Sequence, residues 1–411
     1  MSLISFCTEV GAMIMLKLTI TALFVVAVGT GPTSAMKTTA QRIARYNYPV
    51  ETHKVQTSDG YILTVFRIPY SPKLKNQNKR KPVAFLNHGL LSSSDCWIPN
   101  GPDNALAFLL SDAGYDVWLG NNRGNTYSKK HVKISSLRPS FWDFTWNEIA
   151  LLDLPAQIDY VLFHTNEQAL HYVGHSQGTT IFFVLMSEMP KYNAKIKTAH
   201  MLAPVVYVEH MTSPFAKMMG PMLGQPSLLT EMMGNSEFMP SNKFMSMMGQ
   251  QACKDTSSFQ PMCGNVLFLM AGWNSQHLNN SLLSEVCETH PAGASTGQLL
   301  HYLQEYVSGM WRRYDYGKLK NNRKYSSWSP PKYNEKNVVA PVRLYYSDND
   351  YFSSVVDVHK LMRLLPNLVE SFHVPYPTFN HLDFLFGMEV KPLLYDRIIA
   401  AANRFERTGK Q

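Results

Sequence analysis

Apolar and polar positions along the chain fall into short strand-like runs that alternate with helical ones. Glu51–Thr57 and Tyr61–Ile68 read as two strands joined in a hairpin at Ser58-Asp59-Gly60. Pro82–Leu86 is a short apolar strand ending at Asn87-His88-Gly89. A helix is expected over Asn104–Ala113, with Asp103 at its cap and Gly114 at its exit. Next come a strand at Tyr115–Leu119, a helix over Phe141–Phe163 containing the breaker Pro155, and a strand at Leu170–Val173. A helix at Gly178–Glu188 and a strand at Ile196–Leu202 complete this half. Buried strands alternating with helices predict a largely parallel central sheet.

The alternation then stops. His210–Gln250 holds ten of the 22 methionines, interleaved with Gly, Pro and Ser, and the stretch from there to about Ser329 reads as helical and loop-rich without an obvious strand. It resumes with a strand at Val342–Tyr346, a helix at Val355–Leu365, a strand at Val369–Val374 and a helix near Leu393–Phe405. The pattern predicts one core, residues 36–205 and 336–411, interrupted by a mainly helical cap at 206–335. Methionine is flexible and apolar, which suits a surface that repacks against varied apolar partners. Part of His210–Gln250 is therefore expected to form a lid with an exposed apolar patch, in competition with simply filling the core of the cap.

The amino end has a different purpose. Leu18–Gly29 carries no charge, follows Lys17 and precedes Thr33-Ser34-Ala35, the layout of a secretory signal. Spanning a bilayer takes about 20 apolar residues, so no transmembrane anchor is expected. Residues 1–35 are read as a signal peptide with a short leader, and the mature chain as secreted. In that compartment disulfides persist. Cys253 and Cys263 enclose a short polar loop that a disulfide would close, whereas Cys96 and Cys287 have no evident partners. Asn279-Asn280-Ser281 is a glycosylation sequon.

Composition narrows the class. With 411 residues, 45% apolar and 12% aromatic, the chain is globular rather than disordered. Gly and Pro follow no period, which excludes collagen-like sequence, and five cysteines are too few for a disulfide scaffold. The net charge of +8 would favour an anionic surface, whether nucleic acid, membrane or an emulsified lipid droplet. The densest basic stretch, Lys73 to Lys81, reads as a solvated loop, and without a zinc-finger spacing or a basic helix no nucleic-acid partner is expected.

The chemistry centres on Gly174-His175-Ser176-Gln177-Gly178. A strand runs into this motif and a helix runs out, the strand-turn-helix elbow that exposes a serine hydroxyl on a strained backbone. Serine needs a general base, and the base needs an orienting carboxylate. Asp350 follows the strand Val342–Tyr346, and His381 follows Val369–Val374, so both fall on loops at the carboxyl edge where Ser176 lies. Asp348 rivals Asp350, spacing barely separating the two. His373, His359 and His175 rival His381 less well, because strand or helix positions direct them elsewhere; strand alternation in particular should turn His175 away from the hydroxyl. Oxyanion donors are expected at the backbone amides of Gln177 and Leu90.

These motifs resemble the acid lipase family, which includes gastric and lysosomal acid lipases and many insect members. The resemblance rests on Asp59-Gly60-Tyr61-Ile62-Leu63, His88-Gly89-Leu90-Leu91, Gly114 through Asn121, Arg123-Gly124-Asn125-Thr126, Asp153-Leu154-Pro155-Ala156, His171 through Thr180, Pro291-Ala292-Gly293 and Asn380 through Phe384. It implies an α/β-hydrolase fold with a helical cap, and an esterase acting on neutral lipids at a lipid-water interface. The family's nucleophile falls on Ser176, its histidine on His381, its oxyanion amides on Leu90 and Gln177. Its acid precedes an Asp-Val pair by eight residues, which selects Asp350 ahead of Asp357-Val358. Its cap disulfide falls on Cys253 and Cys263. The family usually has several glycosylation sequons, so a single one at Asn279 favours secretion over lysosomal sorting. No metal or cofactor is expected. The competing class is a catalytically inactive lipid-binding or storage protein on a lipase scaffold, which retention of serine, aspartate, histidine and both oxyanion segments disfavours.

Overall fold

The computed structural model describes residues 37–233, 235–240, 253, 272 and 276–411. Its strands are β1 (Glu51–Gln56), β2 (Tyr61–Ile68), β3 (Val83–Asn87), β4 (Asp116–Leu119), β5 (Lys130–His131), β6 (Leu170–His175), β7 (Ile196–Leu202), β8 (Glu237–Phe238), β9 (Ala294–Ser295), β10 (Val342–Tyr346) and β11 (Leu368–His373). Among the described residues, the main sheet runs β1-β2-β4-β3-β6-β7-β10-β11, with β5 beside β2. The β1–β2 hairpin, β2–β4 and β2–β5 are antiparallel; from β4 through to β11 every neighbouring pair is parallel. All parallel strands therefore release their loops at one edge, and β6 leads into Ser176 there.

Both faces of this sheet are covered, which explains why its central strands read as continuous apolar runs. Successive side chains point to opposite faces. Val83, Phe85, Trp118 and Tyr172 join one core with Ile181, Phe182 and Trp146. Ala84, Leu86, Val117 and Val173 join the other with Trp97, Phe108 and Tyr395. β11 is less buried, as befits an edge strand.

Local starts and stops differ from the expectations. The helix after β3 begins at Leu106 with Ala105 at its cap and no side-chain cap bond, so Asp103 does not cap it. The expected helix over Phe141–Phe163 is composite: a helical turn at Trp146–Glu148, a π-turn at Ile149–Asp153, then a helix over Leu154–Thr165. Pro155 lacks an N–H, and the wider π spacing just before it accommodates the missing bond. The basic stretch is a loop between β2 and β3, with Lys73 on Asp112 and Arg80 on Glu167.

Between β7 and β10 the chain leaves the sheet. Helices at Pro214–Leu223, Leu228–Met233, Leu283–Thr289, Thr296–Ser308 and Lys318–Tyr325 occupy this stretch. It also holds β8 and β9, paired antiparallel, where the sequence suggested no strand; two residues each are too few for a period to register. Helix Pro214–Leu223 packs on helix Thr296–Ser308 through Gly220, where an added methyl would stand 2.6 Å from the Tyr306 ring. The expected signal peptide, Cys263 and much of the methionine-rich segment lie outside the described residues.

Candidate active site

Ser176 follows β6 and stands at the start of helix Gln177–Glu188 with φ 53° and ψ −120°. A non-glycine residue held there stores roughly 1–3 kcal/mol of backbone strain, sustained by the packing around it. That packing is close. A methyl group on Gly178 would stand 2.4 Å from the Asn87 carbonyl oxygen, and one on Gly174 2.8 Å from the Gly178 backbone. The two glycines let β6, the end of β3 and the helix approach at the elbow, and the turn leaves Ser176 partly exposed while its neighbours are buried.

Asp350 and His381 meet. His381 Nδ1 lies 2.7 Å from Asp350 Oδ2, and both residues are buried. The other carboxylate oxygen accepts the backbone N–H groups of Phe352 and Ser353, each at 2.9 Å. Three donors thus hold the carboxylate, and a carboxylate that accepts all three places the Nδ1 proton on His381, so that in the neutral tautomer Nε2 is the nitrogen with the lone pair. The Phe352 ring packs edge-on against that imidazole at 5.0 Å. No hydrogen bond joins Ser176 Oγ to the ring, a contact that in unliganded sites commonly tightens only with substrate.

The rivals are placed elsewhere. Asp348 is exposed and pairs with His373 at 3.0 Å. His359 contacts Tyr346 Oη. His175 packs beside His381: its Nε2 donates to the His381 carbonyl at 2.9 Å, and the two rings are 4.8 Å apart. The positive φ at Ser176 ends the strand there. Burial, followed by the neighbouring His381, holds His175 neutral by pushing its pKa well down.

The loop after β3 closes the site. A methyl on Gly89 would stand 2.9 Å from Ser176 Cβ and 3.4 Å from its Oγ, so the Gly89–Leu90 peptide lies against the nucleophile. Gln177 is the first residue of its helix, and its N–H has no acceptor within the helix. Sequence reasoning gave no role to His88. Its Nε2 accepts the backbone N–H of Asn122 at 3.2 Å, so Nδ1 carries the proton and donates to the Gly89 carbonyl at 2.7 Å. Burial lowers its pKa to about 4. Only its place immediately before Gly89 could have drawn attention to it.

Cys253 is buried; Cys96 and Cys287 are free thiols. Asn279 caps a short turn, accepting Ser281 N and Oγ. Among the described residues, Glu51, His53 and His164 present possible metal ligands within 4.8 Å of one another. They involve β1, four strands from β6, and Arg67 already occupies the Glu51 carboxylate. A cavity of about 410 Å³ lined by Asp143, Asp315 and Lys320 includes none of the residues above. No helix among the described residues is long and apolar enough to cross a membrane.

Comparison with known proteins agrees with this fold. The profile of the alpha/beta hydrolase fold matches residues 82–387, and that of the partial alpha/beta-hydrolase lipase region matches 39–101. Lipase 3 of Drosophila melanogaster is 48% identical over 366 residues, covering 89% of this chain and 93% of that protein. The human lysosomal acid lipase/cholesteryl ester hydrolase is 39% identical over 368 residues, covering 89% and 90%. Human gastric triacylglycerol lipase is 39% identical over 362 residues, covering 88% and 89%. A monoglyceride lipase structure from Saccharomyces cerevisiae shares the fold, with a TM-score of 0.51 at 15% identity, covering 87% of this chain and 98% of that one.

Proposed function

Because this chain belongs to the acid lipase family of α/β-hydrolases, we propose that it is a secreted serine hydrolase that cleaves neutral lipid esters through an acyl-enzyme on Ser176. A carboxylic ester hydrolase of the lipase type is the enzyme class that membership gives. The observation that carries the finer reading is the buried Asp350–His381 hydrogen bond at the sheet edge where the strained Ser176 emerges.

Ser176 Oγ attacks the ester carbonyl while His381 Nε2 takes its proton. Asp350 holds the imidazole in the required tautomer and stabilises the imidazolium. The amides of Leu90 and Gln177 bind the oxyanion, an interaction in which one donor is worth roughly 100- to 1000-fold in rate. The imidazolium returns its proton to the departing alcohol. Water then cleaves the acyl-enzyme by the same sequence, with His381 again as base.

Residues 206–335 act as the cap, with Cys253 and Cys263 joined as a disulfide following the family pattern, and Asn279 is glycosylated at its sequon. Residues 1–35 are removed on secretion. The substrate is triacylglycerol, steryl ester or both, matching what the gastric and lysosomal relatives are named for. Mature protein assayed on trioleoylglycerol, cholesteryl oleate and a short-chain ester, beside Ser176→Ala, tests this reading. Turnover of at least one long-chain ester, abolished by the substitution, is expected; binding without turnover would favour the inactive lipid-carrier class.

A further inference from the structure

The Leu90 amide is useful only if it points at the substrate oxygen, and its direction is not free. In a planar trans peptide the N–H and C=O point in opposite directions. Whatever fixes the Gly89 carbonyl therefore aims the Leu90 N–H. That carbonyl accepts His88 Nδ1 at 2.7 Å and Ser92 N at 3.3 Å. Leu91 sits at φ 59°, a left-handed conformation that a leucine adopts only under constraint.

The constraint comes from the segment between β7 and β10. The Ala292 N–H donates to the Leu91 carbonyl at 2.7 Å. His290 Nε2 lies 2.9 Å from Ser92 Oγ. On its other side, His290 Nδ1 faces the Val286 carbonyl at 3.2 Å and Thr289 Oγ1 at 3.0 Å. A carbonyl only accepts, so Nδ1 carries the proton and Nε2 receives the Ser92 hydroxyl hydrogen. Burial lowers the pKa of His290 to about 4, which keeps that acceptor available near neutral pH. The Thr126 hydroxyl donates to the Ala292 carbonyl at 3.1 Å and anchors the segment to the core.

We propose that His290 is a positioning residue for the oxyanion loop, holding Ser92 so that the Gly89–Leu91 turn keeps the Leu90 amide aimed at the ester. The inference rests on the serine hydrolase reading and deepens it: the segment outside the sheet sets the geometry of the half of the site that binds the oxyanion.

The test uses a soluble short-chain ester, so that interfacial binding does not enter. His290→Phe removes the acceptor and keeps a ring beside Phe386, its edge-on neighbour at 5.9 Å. The expected result is a fall in kcat of about 10- to 100-fold with KM within about twofold. His290→Gln, whose amide oxygen can accept from Ser92, restores most of it. Ser92→Ala reproduces the loss and adds little to His290→Phe in the double variant. Unchanged kcat in folded His290→Phe, or a loss that His290→Gln fails to restore, overturns the proposal. If His290→Phe does not fold, Ser92→Ala decides by the same criterion. Wild-type protein that neither turns over ester nor is labelled at Ser176 by a fluorophosphonate overturns the hydrolase reading as well; active wild type with unaffected variants overturns only this inference.

Discussion

His381 Nδ1 sits 2.7 Å from Asp350 Oδ2, whereas Asp348, two residues earlier on the same loop, is drawn to His373 on the surface. Two near-identical carboxylates are thereby given opposite environments. Asp350 is buried and triply hydrogen bonded; Asp348 is solvated. Asp350→Asn should reduce kcat by about 10,000-fold with little change in fold, because the amide favours the wrong imidazole tautomer. Asp348→Asn should stay within about twofold of wild type. Steady-state kinetics on the two purified variants decides, and equal effects would mean that the acid is misassigned.

Gly178 faces the Asn87 carbonyl so closely that an added methyl would lie 2.4 Å from it. Both partners are backbone, so neither can swing aside. Gly178→Ala should cost about 1–3 kcal/mol or more of stability and displace the elbow. Thermal unfolding should show a lowered midpoint and activity should fall with it. A wild-type midpoint would show that the elbow has slack.

Glu305 is buried on helix Thr296–Ser308 with neither carboxyl oxygen hydrogen bonded in good geometry. Burial raises its pKa well above the ordinary 4.5, against the smaller opposing pull of Arg312. The fold therefore holds a proton that the unfolded chain releases. Stability linked to this group is fully present below pH 4.5 and declines as pH rises toward the folded value, by up to about 1.4 kcal/mol per pH unit. Glu305→Gln has no such slope. Denaturant unfolding at pH 4 and pH 8 should show the variant gaining on wild type at the higher pH; a difference independent of pH would contradict the burial argument.

Met218 and Met222 stand one turn apart on helix Pro214–Leu223, 64% and 49% exposed, while Ala216, Gly220 and Leu223 face inward. The described methionines thus divide between the two expectations, some packing and some exposed. Replacing both Met218 and Met222 by Ser removes roughly 1–3 kcal/mol of apolar partitioning at each site if they insert into lipid. Hydrolysis of emulsified trioleoylglycerol should drop at least about fivefold at low lipid, with a soluble short-chain ester unaffected. Equal rates on the emulsion would place the lipid-facing patch elsewhere.

Ser176 was legible because the Gly-x-Ser-x-Gly motif sits between an apolar strand and an apolar helix, and local sequence encodes that junction. That β3, β6, β7 and β10 run parallel was legible because strands alternate with helices, whereas their order in the sheet follows from folding and left no mark in the local pattern. Asp350 could not be separated from Asp348 by spacing, because two positions on one loop differ only in which way the backbone turns. The contacts of His88 and His290 were hidden more deeply. Each depends on a partner brought in by folding, Asn122 for one and Ser92 for the other, nearly 200 residues away in the second case. The π-turn before Pro155 escaped because an apolar run does not distinguish π from α spacing.

The most direct measurement is covalent labelling of the mature protein with a fluorophosphonate, mapped by peptide mass spectrometry and followed in parallel by ester hydrolysis. One label per chain on Ser176, with activity lost in proportion, is the expected result. Hydrolysis that persists in Ser176→Ala, or full labelling at another residue, would contradict the assignment of Ser176 as nucleophile.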